Sequence, residues 1–178
     1  SKFKRDYGAK KNQVLYKIKR VKNDNEIIKL IDNFLVEKNS FIFESVEKGK
    51  IKGRYTIFGR NPDKIWEFNN NSGYLIQNKK KIKIKGNPAK LIEKIIEDFK
   101  FKTPPILPPI SSLISGYFSY DTIRYIEKIP NTCKDDLKLP DVRLLRPRTL
   151  IIYDNLKKKI FYIINVFNDE KITNFSKK

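Results

Sequence analysis

A carboxylate and a hydroxyl in consecutive positions, Glu44-Ser45, and the run Lys52-Gly53-Arg54-Tyr55 a short turn away are the residues best suited to holding a small charged ligand. A zwitterion needs an acceptor for its ammonium and donors for its carboxylate, both held on rigid strands. Glu44, Ser45, Lys52, Gly53, Arg54 and Tyr55 offer both kinds within one predicted hairpin, whose plainer reading is an antiparallel ribbon with polar outward positions. Other chemistry is poorly supplied. There is no histidine, no glycine-rich phosphate cradle and no set of residues at metal-ligand spacing. Asp121 and Glu127, on a short predicted helix, read as partners of Arg124 or as caps rather than as an acid–base pair. Cys133 alone cannot form an internal disulfide, which fits a reducing cytoplasm and a loop thiol without a role.

The elements that must position these residues follow from periodicity and punctuation. Val14-Leu15-Tyr16-Lys17-Ile18 suits a strand, and residues 1–12 before it read as a frayed arm. Asn23-Asp24-Asn25-Glu26 supplies capping chemistry, after which Ile27, Ile28, Ile31, Phe34 and Leu35 share one face of a helix running to Val36. The chain then enters the Phe41–Val46 strand and returns on Arg54–Phe58, with Gly59-Arg60-Asn61-Pro62-Asp63 expected to break the return. Lys64–Phe68 alternates, with Trp66 and Phe68 as the more buried pairing and Ile65 and Glu67 on the other side. Tyr74–Gln77 and Ile82–Ile84 complete an antiparallel meander.

Asn87-Pro88 opens a second helix with apolar residues Ala89, Leu91, Ile92, Ile95, Ile96 and Phe99, expected to end near Lys102. The proline-rich Thr103–Pro109 must cross in extended form, with Ile106 and Leu107 against the core. Leu113–Ser119 begins as a strand in which Gly116 admits a close backbone or ligand, and Asp121–Ile126 reads as a short helix. A polar loop over 131–141 precedes a closing hairpin, Thr149–Tyr153 and Ile160–Val166. The fold class is therefore α+β: antiparallel sheets, sandwich-like, with flanking helices, in one domain of 178 residues. Residues 1–12 and 169–178 are expected to be flexible.

The net charge of +19 raises the question of an RNA or polyanion partner. Composition answers against it. The 39 basic residues divide into 31 lysines and 8 arginines, whereas nucleic-acid readers rely on arginine forks and aromatic platforms. With 16 asparagines and 26 isoleucines, the excess fits A/T-rich codons better than selection for an anionic ligand. The triplets Lys79–Lys81 and Lys157–Lys159 fall at predicted turns, where charge is simply solvated. No apolar run is long enough to cross a bilayer, and no leader pattern is present, so no membrane partner is expected.

Three blocks in order then carry a family resemblance. Phe41-Ile42-Phe43-Glu44-Ser45-Val46-Glu47, Gly53-Arg54-Tyr55-Thr56-Ile57-Phe58-Gly59, and Gly116-Tyr117-Phe118-Ser119-Tyr120-Asp121-Thr122-Ile123-Arg124-Tyr125-Ile126-Glu127 resemble the N-terminal region of anthranilate synthase component I, the chorismate-using subunit that opens tryptophan biosynthesis. Leu139-Pro140-Asp141 and the closing hairpin extend the match over almost the whole chain. The resemblance implies an allosteric pocket for L-tryptophan, the end product. Ser45 would receive the ligand's amino group or carboxylate, Glu44 would face the ammonium, and Lys52, Gly53, Arg54 and Tyr55 would form the opposite wall. Family members carry Thr-Pro before the first helix where this chain has Asn25-Glu26, a departure that weakens the expected feedback.

Aminodeoxychorismate synthase component I is similar, but Glu44-Ser45-Val46-Glu47 favours the anthranilate enzyme. By the same resemblance the chorismate and Mg2+ site belongs to a C-terminal catalytic region absent from these residues. The chain is therefore expected to hold no catalytic residues or cofactor of its own and to be inactive alone. The implied partners are that catalytic region, the glutamine amidotransferase subunit that delivers ammonia, and L-tryptophan.

Overall fold

The computed structural model describes residues 4–6, 12–21, 25–34, 36–47, 51–69, 72–130 and 137–168; within these, the side chains of 4–6, 25, 26, 28, 31, 32, 45–47, 51 and 52 are outside the described set. The elements are β1 (Lys4–Asp6), β2 (Gln13–Arg20), α1 (Asn25–Phe34), β3 (Phe41–Glu47), β4 (Ile51–Asn69), β5 (Ser72–Gln77), β6 (Lys80–Ile84), α2 (Pro88–Asp98), β7 (Ser115–Phe118), a 3-10 helix (Tyr120–Tyr125), β8 (Val142–Asp154) and β9 (Lys159–Val166). The pairs β1–β2, β2–β9, β3–β4, β4–β5, β5–β6, β7–β8 and β8–β9 are all antiparallel. The α+β class follows, but the described strands join one nine-stranded sheet and not the separate, sandwich-like sheets expected from sequence. No helix among the described residues is long and apolar enough to cross a membrane.

The chain divides into two compact units that interleave in sequence. The first comprises Ser1–Asn61, Phe101–Ser112 and Pro147–Lys178; the second comprises Pro62–Lys100 and Leu113–Arg146. Each has its own apolar core. In the first, the strand order β1-β2-β9-β8-β4 is extended by β3 on β4. Ile27, Leu30 and Phe34 of α1 recur at helical spacing and pack with Phe58, Ile151, Tyr153 and Ile160. The Phe34 and Phe58 rings meet edge to face at 5.7 Å, the geometry aromatic quadrupoles prefer. In the second, β5 follows the far half of β4 and β6 follows β5, and α2 sets Ile92 against Trp66, Phe68, Val142 and Leu144.

Several local expectations are met. Asn87 caps α2, its Oδ1 accepting from the Lys90 amide at 3.2 Å, and Pro88 stands at the helix start. Asn78 and Lys79 both take positive φ in the turn between β5 and β6, the pattern a two-residue hairpin requires. Gly116 pairs with Leu144, and an added Cβ would run into the Arg143 carbonyl, so the close approach is that of the neighbouring backbone.

Other expectations are corrected. Gly59–Asp63 does not end the strand: β4 runs unbroken from Ile51 to Asn69, with Asn61 accommodating the irregularity at φ 54. The turn residues mark instead the point, between Asn61 and Pro62, where the chain passes from one unit to the other; Arg146-Pro147 in β8 is the matching point. Lys4–Asp6 is not a frayed arm but a strand paired with β2. Helix α1 stops at Phe34 and α2 at Asp98, short of Val36 and Lys102, where the apolar face no longer has a core to bury: Val36 is exposed and Lys100 lies in solvent.

Ile65 is buried as well as Trp66 and Phe68, because β4 is covered on both sides there. Of the proline-rich segment, Leu107 is buried but Ile106 is exposed, since the Leu107 amide bonds back to the Pro104 carbonyl and turns the segment. The short helix is a 3-10 helix that begins at Tyr120, and β8 starts at Val142, well before Thr149. The expected caps Asn23 and Asp24, the loop thiol Cys133 and the tail 169–178 lie outside the described residues.

Candidate functional site

The six candidate residues all stand at one irregularity of the β3–β4 ribbon. Phe41↔Gly59 through Glu44↔Thr56 form one register, Val46↔Lys52 and Glu47↔Ile51 another, and the register shifts between Glu44 and Val46. Ser45 therefore faces three residues, Gly53, Arg54 and Tyr55, where a regular ladder would give it one. Such bulges bend the strand and re-aim its side chains, and they recur beside binding sites. Glu44 and Arg54 are exposed and Tyr55 half-buried; the side chains of Ser45 and Lys52 lie outside the described residues. The hairpin expected from sequence is present, and the polar residues that made it odd coincide with its fault.

A turn far along the chain holds the fault in place. Asn155, following β8, donates its backbone N–H to the Arg54 carbonyl at 2.8 Å and its side-chain Nδ2 to the Gly53 carbonyl at 2.9 Å. The same Nδ2 lies 3.4 Å from the Thr56 hydroxyl. Asp154, almost wholly buried, accepts from Arg54 Nη2 at 3.3 Å and, through its other oxygen, from the amides of Leu156 and Lys157 at 3.0 and 2.9 Å. The carbonyls that a bulge leaves without ladder partners are thereby satisfied by an Asx-type turn.

Arg54 is consequently less available than its residue type suggested. Its guanidinium is shared between the Asp154 carboxylate and the Tyr55 ring, whose centroid lies 4.8 Å away. It braces the wall. The sequence pattern points to the brace but not to what it braces against: Asp154 and Asn155 stand between the two strands of the closing hairpin, as ordinary turn residues. The one available signal was an Asp-Asn pair between two strongly β-prone runs, and nothing in it pointed about a hundred positions upstream.

The second unit carries a separate constellation. Tyr125 donates to Asp141 Oδ2 at 2.9 Å, and burial, reinforced by that carboxylate, pushes the phenol well above its ordinary range. Arg124 donates to Asp121 Oδ1 at 2.8 Å, the pairing expected from sequence. Between α2 and the 3-10 helix lies an apolar groove of about 500 Å³, lined among others by Ile92, Ile96, Phe118 and Tyr125. Glu67 is held below its usual value: burial alone would raise it, but hydrogen bonds from Lys81 and Arg143 and their charges outweigh burial. Among the described residues no three His, Cys, Asp or Glu side chains gather as a metal site.

Known proteins agree on the kinship of the chain. No family model matches it. Anthranilate synthase component 1 of Acetivibrio thermocellus is 36% identical over 140 residues, covering 78% of this chain and 28% of the relative. The same component from Cereibacter sphaeroides is 29% identical over 163 residues, covering 89% of this chain and 33% of the relative. The crystal structure of anthranilate synthase component I from Streptococcus pneumoniae covers 82% of this chain and 31% of that one, at a TM-score of 0.55 and 23% identity, a likeness of fold. The chain thus spans about a third or less of the length of these relatives. It belongs to the anthranilate synthase component I family and corresponds to the N-terminal region of its members.

Proposed function

We propose that this chain is the regulatory and scaffolding region of an anthranilate synthase component I, acting in tryptophan biosynthesis, and that the β3–β4 bulge forms one wall of a pocket for L-tryptophan. The parent enzyme would convert chorismate, with glutamine or ammonia, to anthranilate and pyruvate. Magnesium and chorismate would be held by the catalytic region beyond these residues, and ammonia would come from a glutamine amidotransferase subunit that this region helps to seat. The chain alone would not turn over. The observation that carries the reading is the gathering of Glu44, Ser45, Lys52, Gly53, Arg54 and Tyr55 at one register fault braced by Asp154-Asn155. A carboxylate, a hydroxyl and an ammonium on one stiffened edge provide for both ends of an amino acid. Arg54 would serve there mainly as the brace.

The test is calorimetric titration of L-tryptophan into the full-length gene product that carries this region, beside its activity with and without tryptophan. Saturable heat and inhibition are expected, and Ser45→Ala should lose roughly tenfold or more in affinity, the cost of about one hydrogen bond to a charged group. Full activity with neither heat nor inhibition would end the tryptophan reading and leave the family membership intact.

A further inference from the structure

The register fault in the β3–β4 ribbon has a size that burial cannot detect. An uninterrupted ladder, continuing Glu44↔Thr56, would set Val46 opposite Arg54 and Glu47 opposite Gly53; the ribbon sets them instead opposite Lys52 and Ile51. The two pairings differ by two residues on β4, which is the side-chain period of a strand. Every residue of the ribbon would keep its face in either one, and Val46 would stand opposite a basic residue in both. A slip of one residue is opposed by burial, because it exchanges the two faces; a slip of two is not. Inside–outside patterning therefore leaves the register of the ribbon tip open, and a specific contact must choose it.

Asn155 makes that contact. Successive carbonyls of a regular strand point to opposite edges. Asn155 nevertheless bonds two successive ones, donating its backbone N–H to the Arg54 carbonyl at 2.8 Å and its Nδ2 to the Gly53 carbonyl at 2.9 Å. Both bonds are possible together only at the fault. In the uninterrupted ladder one of the two carbonyls would turn away from Asn155 and leave a half-buried donor without its partner.

We propose that Asn155 is the positioning residue of the candidate ligand wall: its side-chain donor selects the faulted register of the β3–β4 tip, and without it the tip slips by two residues into the uninterrupted ladder. Arg54 and Gly53 would then stand opposite Val46 and Glu47, and Ser45 opposite Tyr55 alone. The wall would be rebuilt without any change in the core. A ligand that uses the wall as it stands binds one register only, so its affinity falls with the fraction of molecules that remain in that register. This last step rests on the L-tryptophan reading, whereas the choice of register does not.

Disulfide trapping reads the register. In the full-length gene product that carries this region, Val46→Cys with Lys52→Cys reports the faulted register and Glu47→Cys with Gly53→Cys the uninterrupted one, while Phe43→Cys with Ile57→Cys reports a pairing common to both. Each pair is oxidised with glutathione disulfide, and the cross-linked peptide is quantified by mass spectrometry. Asn155→Asp keeps the size of the side chain and loses its donor. It should lower the ratio of faulted to uninterrupted cross-linking about tenfold or more, the order expected for one lost hydrogen bond, and leave the common pair unchanged. Asn155→Leu, which adds no charge, should move the ratio the same way. An unchanged ratio would overturn the proposal. So would slowing of the common pair, which means that the ribbon opens rather than slips, or a shift confined to Asn155→Asp, which makes charge the cause. Affinity for L-tryptophan, measured on the same Asn155 variants without the added cysteines, should fall in step with the faulted cross-link. A shifted ratio in a protein that never binds L-tryptophan fails the tryptophan reading alone, and an unchanged ratio with intact binding fails the register choice alone.

Discussion

Among the described residues, each unit has an aspartate buried against an arginine, and the two pairs are built for different ends. In the second unit Asp63 and Arg146 are 1% and 10% exposed, and the guanidinium meets both carboxylate oxygens, Nε reaching Oδ1 at 2.8 Å. That pair is enclosed. In the first unit Asp154 is 2% exposed, but Arg54 remains 48% exposed and makes one contact to it. The second oxygen of Asp154 goes to the turn amides, and the neighbouring Asn155 carries the bulge carbonyls. The difference teaches that an enclosed fork stabilises a core, whereas a half-open one fixes a backbone fault and leaves a cation near the surface where a ligand could use its field.

The comparison breaks most readily at Arg146. Arg146→Met should cost about 3–5 kcal/mol, because Asp63 would keep its burial and lose its counter-charge. Urea denaturation measures it, and a loss under 1 kcal/mol would mean that water or another cation replaces the guanidinium. Next comes Asp154→Ala, which removes the acceptor of two turn amides and of Arg54; about 2 kcal/mol is expected. Its sharper readout is affinity for L-tryptophan in the full-length protein, expected to fall more than the affinity of an Arg54→Gln variant. Equal affinities would deny that the Asp154-Asn155 turn shapes the wall.

How much of this was open to sequence reading depended on range. Local chemistry was legible: the Asn87-Pro88 helix start, the spacing of Ile27 and Phe34, and the apolar runs of β8 and β9 each carry their cause within a few residues. The polar residues of the β3–β4 ribbon were also visible, because Glu44-Ser45 and Arg54 are costly ornaments for a plain hairpin. What bound them was not visible. The register fault is a property of the pairing between two strands and not of either one alone, and its brace lies about a hundred residues away in a turn that looks ordinary. The same limit explains Gly59–Asp63: local turn signals predict a strand end, whereas β4, paired with β3 up to Gly59 and with β5 from Lys64, stays continuous and the signals mark a unit boundary.

A third carboxylate lies between the two extremes and gives a pH test. Glu67 accepts from Lys81 at 2.8 Å and from Arg143 at 3.2 Å, and its pKa in the folded protein lies below 4.5. A carboxyl depressed by folding contributes stability above its unfolded pKa and loses it as pH falls through the folded value. Wild-type stability should therefore drop on acidification below about pH 4.5 more steeply than that of Glu67→Gln. At pH 7 the variant should be about 1 kcal/mol less stable. Parallel pH curves for the two proteins would show that Lys81 and Arg143 do not favour the charged form.

The smallest effect should come from Arg54 itself. A guanidinium that is 48% exposed has water as a ready substitute, so Arg54→Gln should cost about 0.5 kcal/mol in low salt. At 1 M salt the difference should nearly vanish, since screening then acts over roughly 3 Å. Asp154 would still have the Leu156 and Lys157 amides to satisfy it, which is why the loss stays small. A loss of 2 kcal/mol or more, insensitive to salt, would mean that the pair behaves like Asp63–Arg146. The distinction between an enclosed fork and a half-open brace would then collapse, and Arg54 would be as much a part of the core as Arg146.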